Sequence, residues 1–144
     1  MQAAISGGYK FTTNCTHILQ EPEYDPILSK IRELSLFNRS EDKVKVFFVP
    51  SYLKGNDGIL NLTYYQLLSG LDVSVFPSYY EPWGYTPLES LAFGVPTVTT
   101  TLAGFGLWVK AHYSGNSAGI EIIERNETNY NEVVAATLTK RGVS

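Results

Sequence analysis

Two carboxylates eight positions apart, Glu81 and Glu89, enclose Trp83, Gly84, Tyr85 and Thr86 in the stretch "YYEPWGYTPLES". Glu81 stands before Pro82, which holds its backbone extended and gives its side chain a defined aim. Thr86, Pro87 and Glu89 have the spacing of an N-cap, a first helical residue and the third-position glutamate of a capping box, which predicts a helix starting at Thr86. The unpaired N–H groups and positive dipole end of such a start attract an anion. Gly84, without a β-carbon, would let that anion come close to the backbone. A carboxylate on either side could then grip hydroxyl groups, so the pattern suits a phosphate flanked by a sugar and a ribose. Taken singly, Glu89 also fits a residue that only caps its own helix, and the four rings Tyr79, Tyr80, Trp83 and Tyr85 also fit partly buried aromatics. Their combination at one junction carries the reading.

The junction needs a strand before it and a helix after it. "DVSVFP" from Asp72 reads as a buried strand that ends just ahead of the motif. The predicted helix runs to about Phe93, where Gly94 and Pro96 stop it, and "VPTVTT" follows as another strand. Upstream, Asp25 and Pro26 open an amphipathic helix with Ile27, Ile31 and Leu34 on one face, extending through Leu36. "KVKVFFVP" from Lys43 has the β-branched and aromatic run of a strand buried on both faces, and "SYLKGNDG" after it reads as a loop. Leu62, Tyr65 and Leu68 predict a short helix ending near Gly70. Gly104 and Gly106 mark a loop, "GIEIIE" from Gly119 a fourth strand, and Glu127 to Lys140 a closing helix. Strand and helix alternate four times. The expected fold is therefore α/β, a Rossmann-like doubly wound parallel sheet with right-handed crossovers, in which ligands sit at the carboxyl ends of strands.

Composition narrows the partners. The 144 residues are 44% hydrophobic and 17% charged, which suits one soluble globular domain spanning residues 1–144. A net charge of −3, with Lys and Arg scattered, argues against nucleic acid or an anionic membrane as a partner. One cysteine, Cys15, permits no internal disulfide. With only His17 and His112 besides, a zinc cage of sulfur and imidazole cannot be assembled. "MQAAISGGYKF" lacks the basic start and apolar core of a secretory signal, so a cytoplasmic location is expected. The uncharged run from Ser90 to Val109 is interrupted by Gly94, Pro96, Gly104 and Gly106 and is better read as a strand with turns than as a membrane span.

Beyond these readings, "FPSYYEPWGYTPLES" and its continuation "FGVPTVTTTLAGFG" closely resemble the signature of glycogen synthases of the animal, fungal and related bacterial type. These are retaining glycosyltransferases of the two-domain GT-B fold. "THILQEPEYDPILSKIRELSLFNRSEDKVKVFF" is similar to the family's segment before the nucleotide site, and "GIEIIERNETNYNEVV" to the segment after it. The resemblance implies transfer of glucose from UDP-glucose to the 4-hydroxyl end of an α-1,4-glucan, with retention at the anomeric carbon. It makes Glu81 the catalytic residue contacting the transferred glucose and Glu89 the ribose ligand. Trp83, Gly84, Tyr85 and Thr86 line the diphosphate, and Tyr64 is the ring that stacks on uracil; read from the residues alone, Tyr64 fits a core aromatic equally well. No metal or other cofactor is implied, since helix N–H groups and basic side chains supply the positive field.

The family also has an amino-terminal acceptor domain, and a paired arginine and lysine on the phosphates. Here "ISGGYKFTTNC" offers only Lys10, outside that context. The chain is accordingly expected to be an incomplete carboxyl-terminal GT-B domain that supplies donor binding, inactive by itself and lacking the glucan site. Without the arginine-rich helix of eukaryotic relatives, it fits a bacterial type. Two alternatives stand beside this one. The chain could be a non-catalytic remnant or subunit that associates with a separate chain or oligomerises, since a cut sheet leaves an open edge. Related enzymes that transfer to or from sucrose and mannose also carry paired glutamates, but the wording "YYEPWGYTP" favours the glycogen synthases.

Overall fold

Asp25 begins the regular structure as the sequence predicts. In the computed structural model, which describes residues 14–17, 19–57, 60–113, 119–126 and 128–129, its carboxylate accepts the Leu28 N–H at 2.8 Å and caps α1, Pro26–Glu33. The helix ends at Glu33 with Leu34 as its C-cap, short of Leu36, because Ser35 takes a left-handed conformation (φ 55°) that breaks the spiral. The chain forms two compact units, Met1–Tyr64 and Tyr65–Ser144.

In the first unit the "KVKVFFVP" run is not the buried strand its composition predicts. Its β pairing among the described residues is a single parallel bridge between Phe48 and Cys15, while Val44 and Phe47 face solvent. The reason lies in Asn38. Its side-chain amide accepts from the Val46 N–H and donates to the Val46 carbonyl, both at 2.8 Å, so one side chain takes the hydrogen bonds a neighbouring strand would have made. Asn14 adds a third bond to the same carbonyl at 3.1 Å. "SYLKGNDG" stays irregular, as expected, apart from an antiparallel bridge from Lys54 to Thr63. The short helix α2, Tyr64–Leu68, follows.

The second unit holds the sheet. β1 (Ser74–Val75), β2 (Thr97–Thr100) and β3 (Ile120–Ile123) are parallel and lie side by side in chain order. Ser74 stands opposite Thr97, and Thr97 to Thr100 pair with Ile120 to Ile123 in unbroken register. The crossovers contain α3 (Tyr85–Ala92) and α4 (Gly104–His112). This is the expected α/β, Rossmann-like plan of parallel strands joined through helices, with three strands among the described residues. The closing helix expected at Glu127 to Lys140 lies outside the described residues except for Thr128 and Asn129, whose N–H groups both bond to the Asn126 side chain.

β2 is the centre of the core. All four of its residues are buried, Val98 clusters with Ile123, and Val95, Phe105 and Val109 are buried as well. Thr97 and Thr100 are tolerated there because their hydroxyls have partners, whereas the buried Thr99 hydroxyl has no hydrogen-bond partner among the described residues. Thr97 bonds to Ser74 at 3.0 Å and to the Val95 carbonyl at 2.9 Å, Ser74 bonds onward to Ser90 of α3 at 2.5 Å, and Thr100 reaches the Ser78 carbonyl at 3.0 Å. Through Ser74, Ser90 and Thr97 a small hydroxyl network thus ties β1, β2 and α3 together.

Gly104 and Gly106, which the sequence marks as loop residues, form the first turn of α4 instead. Their role is close approach. A β-carbon at Gly104 would stand 2.2 Å from the Pro82 carbonyl oxygen, and one at Gly106 the same distance from the Thr100 carbonyl oxygen. Neither glycine needs an unusual backbone angle; each is there because the neighbouring main chain leaves no room.

Candidate functional site

Pairing of β1 with β2 runs one residue beyond the strand, with the Phe76 N–H on the Val98 carbonyl at 2.8 Å, and then the chain leaves the sheet. It returns at Glu81. The Glu81 N–H donates to the Leu102 carbonyl and the Glu81 carbonyl accepts from Gly104, both at 3.1 Å, which makes a parallel bridge with Ala103. Two residues on, the Trp83 carbonyl accepts from Phe105 at 2.5 Å. The segment Glu81 to Trp83 is therefore sewn to the start of α4. The bare α-carbon of Gly104 allows the two backbones to lie this close.

With its main chain held, the Glu81 side chain has a fixed course. Ser78 donates its hydroxyl to Oε2 at 3.2 Å, and the same oxygen lies 3.4 Å from where a β-carbon of Gly84 would be. The carboxylate thus leans over the mouth of α3. Gly84 is the N-cap residue of that helix, at φ 98° and ψ 71°, and contributes no side-chain cap. Only glycine takes this left-handed angle without strain. The helix accordingly starts two residues before the predicted boundary, and Thr86 and Pro87 lie inside its first turn.

The capping box is corrected with it. Glu89 does not close back on a Thr86 cap; its Oε1 accepts the Tyr65 hydroxyl at 3.1 Å. Tyr65 stacks on Phe93, ring centroids 5.1 Å apart and nearly parallel. The hydrogen bond to the Glu89 carboxylate, and then its charge, hold the Tyr65 phenol above the ordinary tyrosine value. Gly84 also differs from expectation in being buried, with Glu81, Pro87 and Ala103 around it. Its glycine is required by the backbone angle, and it does not offer an open face to a ligand. The way to the helix mouth leads past Tyr85, which is exposed, and Thr86, which is half-buried.

The six residues Glu81, Trp83, Gly84, Tyr85, Thr86 and Glu89 thus belong to one stretch of the second unit, from the sewn segment to the second turn of α3. The Trp83 indole turns toward α4, packing edge-on against Phe105 at 5.9 Å and beside Trp108 at 6.4 Å, so its contribution at the mouth is main chain. Tyr64 heads α2 as the last residue of the first unit, half-buried, with its phenol oxygen closed off from water.

Three residues of this neighbourhood escape the sequence reading. Ser78 aims Glu81, Tyr65 holds Glu89, and Arg125, just past β3, sits buried against the segment leading into the motif. Tyr65 had a signal, since it shares the face of a predicted helix. Arg125 had none, being 48 residues from the carbonyl it bonds. Among the described residues no cluster of three metal-ligating side chains forms, and no helix is long and apolar enough to cross a membrane.

What the mouth can do chemically follows from its parts. It offers main-chain N–H donors at a positive helix end to an anion, and an aimed carboxylate beside it to hydroxyl groups. Comparison with known proteins agrees in kind. The family model described as glycogen synthase matches residues 7–140. The liver glycogen [starch] synthase of Mus musculus is 46% identical over 111 residues, covering 76% of this chain and 16% of the mouse protein. Glycogen [starch] synthase isoform 1 of Saccharomyces cerevisiae is 46% identical over 113 residues, with the same coverage of both chains. The human liver protein is 45% identical over 111 residues. The chain thus spans about a sixth of the length of these curated relatives, 16% in each case.

Proposed function

The chain belongs to the glycogen synthase family, and from that premise we propose that it supplies the donor half-site of a retaining glycosyltransferase, which moves glucose from UDP-glucose to the 4-hydroxyl end of an α-1,4-glucan. The observation that carries this reading is the Glu81 carboxylate, fixed by Ser78 and by main-chain bonds and held over the mouth of α3.

In this proposal the diphosphate meets the N–H groups of Tyr85 and Thr86, with the turn shaped by Gly84 and the main chain of Trp83. These donors oppose the charge that builds on the leaving diphosphate as the glycosidic bond breaks, which is where fixed dipoles contribute most. Glu81 takes the hydroxyls of the transferred glucose. Its own negative charge keeps the phosphates from settling on it and so separates the sugar end of the donor from the phosphate end. Glu89 takes the ribose hydroxyls through the oxygen that Tyr65 does not occupy. The reading requires no resident metal or other cofactor. The glucan would be held by an acceptor-binding domain, which the relatives' greater length can accommodate, and the site of action is cytoplasmic.

Calorimetric titration tests the donor site directly. UDP is expected to bind the 144-residue chain weakly, with a Kd of roughly a millimolar, or about −4 kcal/mol. In a protein joining this chain to an acceptor-binding domain, Glu81→Ala is expected to lower turnover by about a hundredfold or more, the scale of losing one well-placed polar group. Absence of UDP binding in both proteins, together with undiminished turnover in Glu81→Ala, rejects the proposal.

A further inference from the structure

Arg125 is buried, 6% exposed to solvent. Its main chain is fixed at the end of β2, since its N–H donates to the Thr101 hydroxyl at 3.0 Å and its carbonyl accepts from the same hydroxyl at 3.3 Å. From there the side chain crosses to the segment between β1 and Glu81. Nη1 donates to the Pro77 carbonyl at 2.6 Å and approaches the Ser78 carbonyl at 3.4 Å, and the guanidinium carbon lies 3.6 Å from the centre of the Tyr79 ring. One side chain therefore engages three consecutive residues, 77 to 79. The middle one is Ser78, whose hydroxyl donates to Glu81.

We propose that Arg125 is a positioning residue for Glu81, setting the Pro77–Tyr79 segment so that the Ser78 hydroxyl fixes the carboxylate over the mouth of α3. The geometry suits arginine in particular. A planar guanidinium can donate in its plane to carbonyls while its face lies on an aromatic ring, and a lysine ammonium has no such face. Thr100 supports the same segment through its bond to the Ser78 carbonyl, so that carbonyl meets donors from both the end of β2 and the residue after β3. The link joins the two ends of the sheet's carboxyl edge to one carboxylate. Its catalytic meaning rests on the donor-binding role proposed for Glu81.

The test compares Arg125→Met, Arg125→Lys and Ser78→Ala with the parent 144-residue chain, using carbon NMR of the Glu81 carboxyl and hydrogen exchange of the Ser78 and Glu81 amides. Arg125→Met is expected to speed exchange at Ser78 by about tenfold or more, as befits loss of a hydrogen bond from a charged donor. It should also move the Glu81 carboxyl resonance in the same direction as Ser78→Ala, and the double variant should move it no further than Ser78→Ala alone, because both act through one contact. An unmoved resonance in a folded Arg125→Met chain, or shifts that simply add in the double variant, overturns the proposal. Should Arg125→Met fail to fold, Arg125→Lys decides: faster exchange at Ser78 with a displaced Glu81 resonance supports positioning, and a chain indistinguishable from the parent refutes it. None of these signals needs a ligand. Failure of UDP to bind the parent would therefore count against the donor-site reading alone and leave the positioning result standing.

Discussion

The runs "KVKVFFVP" and "VPTVTT" look alike as strand candidates, yet only the second becomes one. Val44 in the first is 57% exposed, whereas Val98 in the second is 3% exposed. The difference is what stands on either side. β2 has β1 on one edge and β3 on the other, so every residue from Thr97 to Thr100 sits opposite a partner in β3 and the first two also face β1. The earlier run has the Asn38 amide on Val46 and one bridge to Cys15. β-propensity describes a side chain's fitness for a pleated surface, and a single amide cannot provide that surface. A strand is made by its neighbours.

The sharpest way to break the well-paired region is at Gly104. Replacing it by valine drives a side chain into the Pro82 carbonyl, and because the obstacle is main chain the cost should be about 3 kcal/mol or more. Urea melts would show the second unit losing stability, with UDP binding lost too. A variant as stable as the parent would mean the segment from Glu81 to Trp83 can move away freely. Next comes the paired test of the two runs. Val98→Ala should cost about 2 kcal/mol, while Val44→Ala should stay within about 0.5 kcal/mol of the parent. Equal costs would mean that the first run is buried after all. Smallest is Asn38→Ala, which removes the amide from Val46 and should cost about 1 kcal/mol for exchanging two neutral bonds with water. Faster hydrogen exchange confined to Val46 and its neighbours would mark that loss, and unchanged exchange would dismiss the clamp.

What the sequence disclosed was whatever depends on nearby residues. α1 with its Asp25 cap, β2, β3 and the existence of α3 all follow from local pattern, and so does the motif's place between a strand and a helix. What it concealed depends on contacts between distant residues. Gly104 and Gly106 read as turn formers because glycine usually supplies backbone freedom; here they supply absence of volume against Pro82 and Thr100, which spacing cannot reveal. The capping box at Thr86 failed because the left-handed turn at Gly84 starts the helix earlier and Glu89 finds Tyr65 instead. Pro82 points only to a constrained Glu81, and the hydroxyl of Ser78 and the guanidinium behind it have no local signal, since no local rule links residue 125 to residue 78.

One consequence follows from the stitching of Glu81 to Trp83 onto the first turn of α4. A recognition loop that floats must be frozen when its guest arrives, and the lost freedom is subtracted from affinity. In the proposed donor site the main chain from Glu81 to Trp83 is already bonded to α4, so this part of that ordering would fall on folding and not on binding. Selectivity at this spot should accordingly come from rejection of ill-fitting guests and not from adaptation to them.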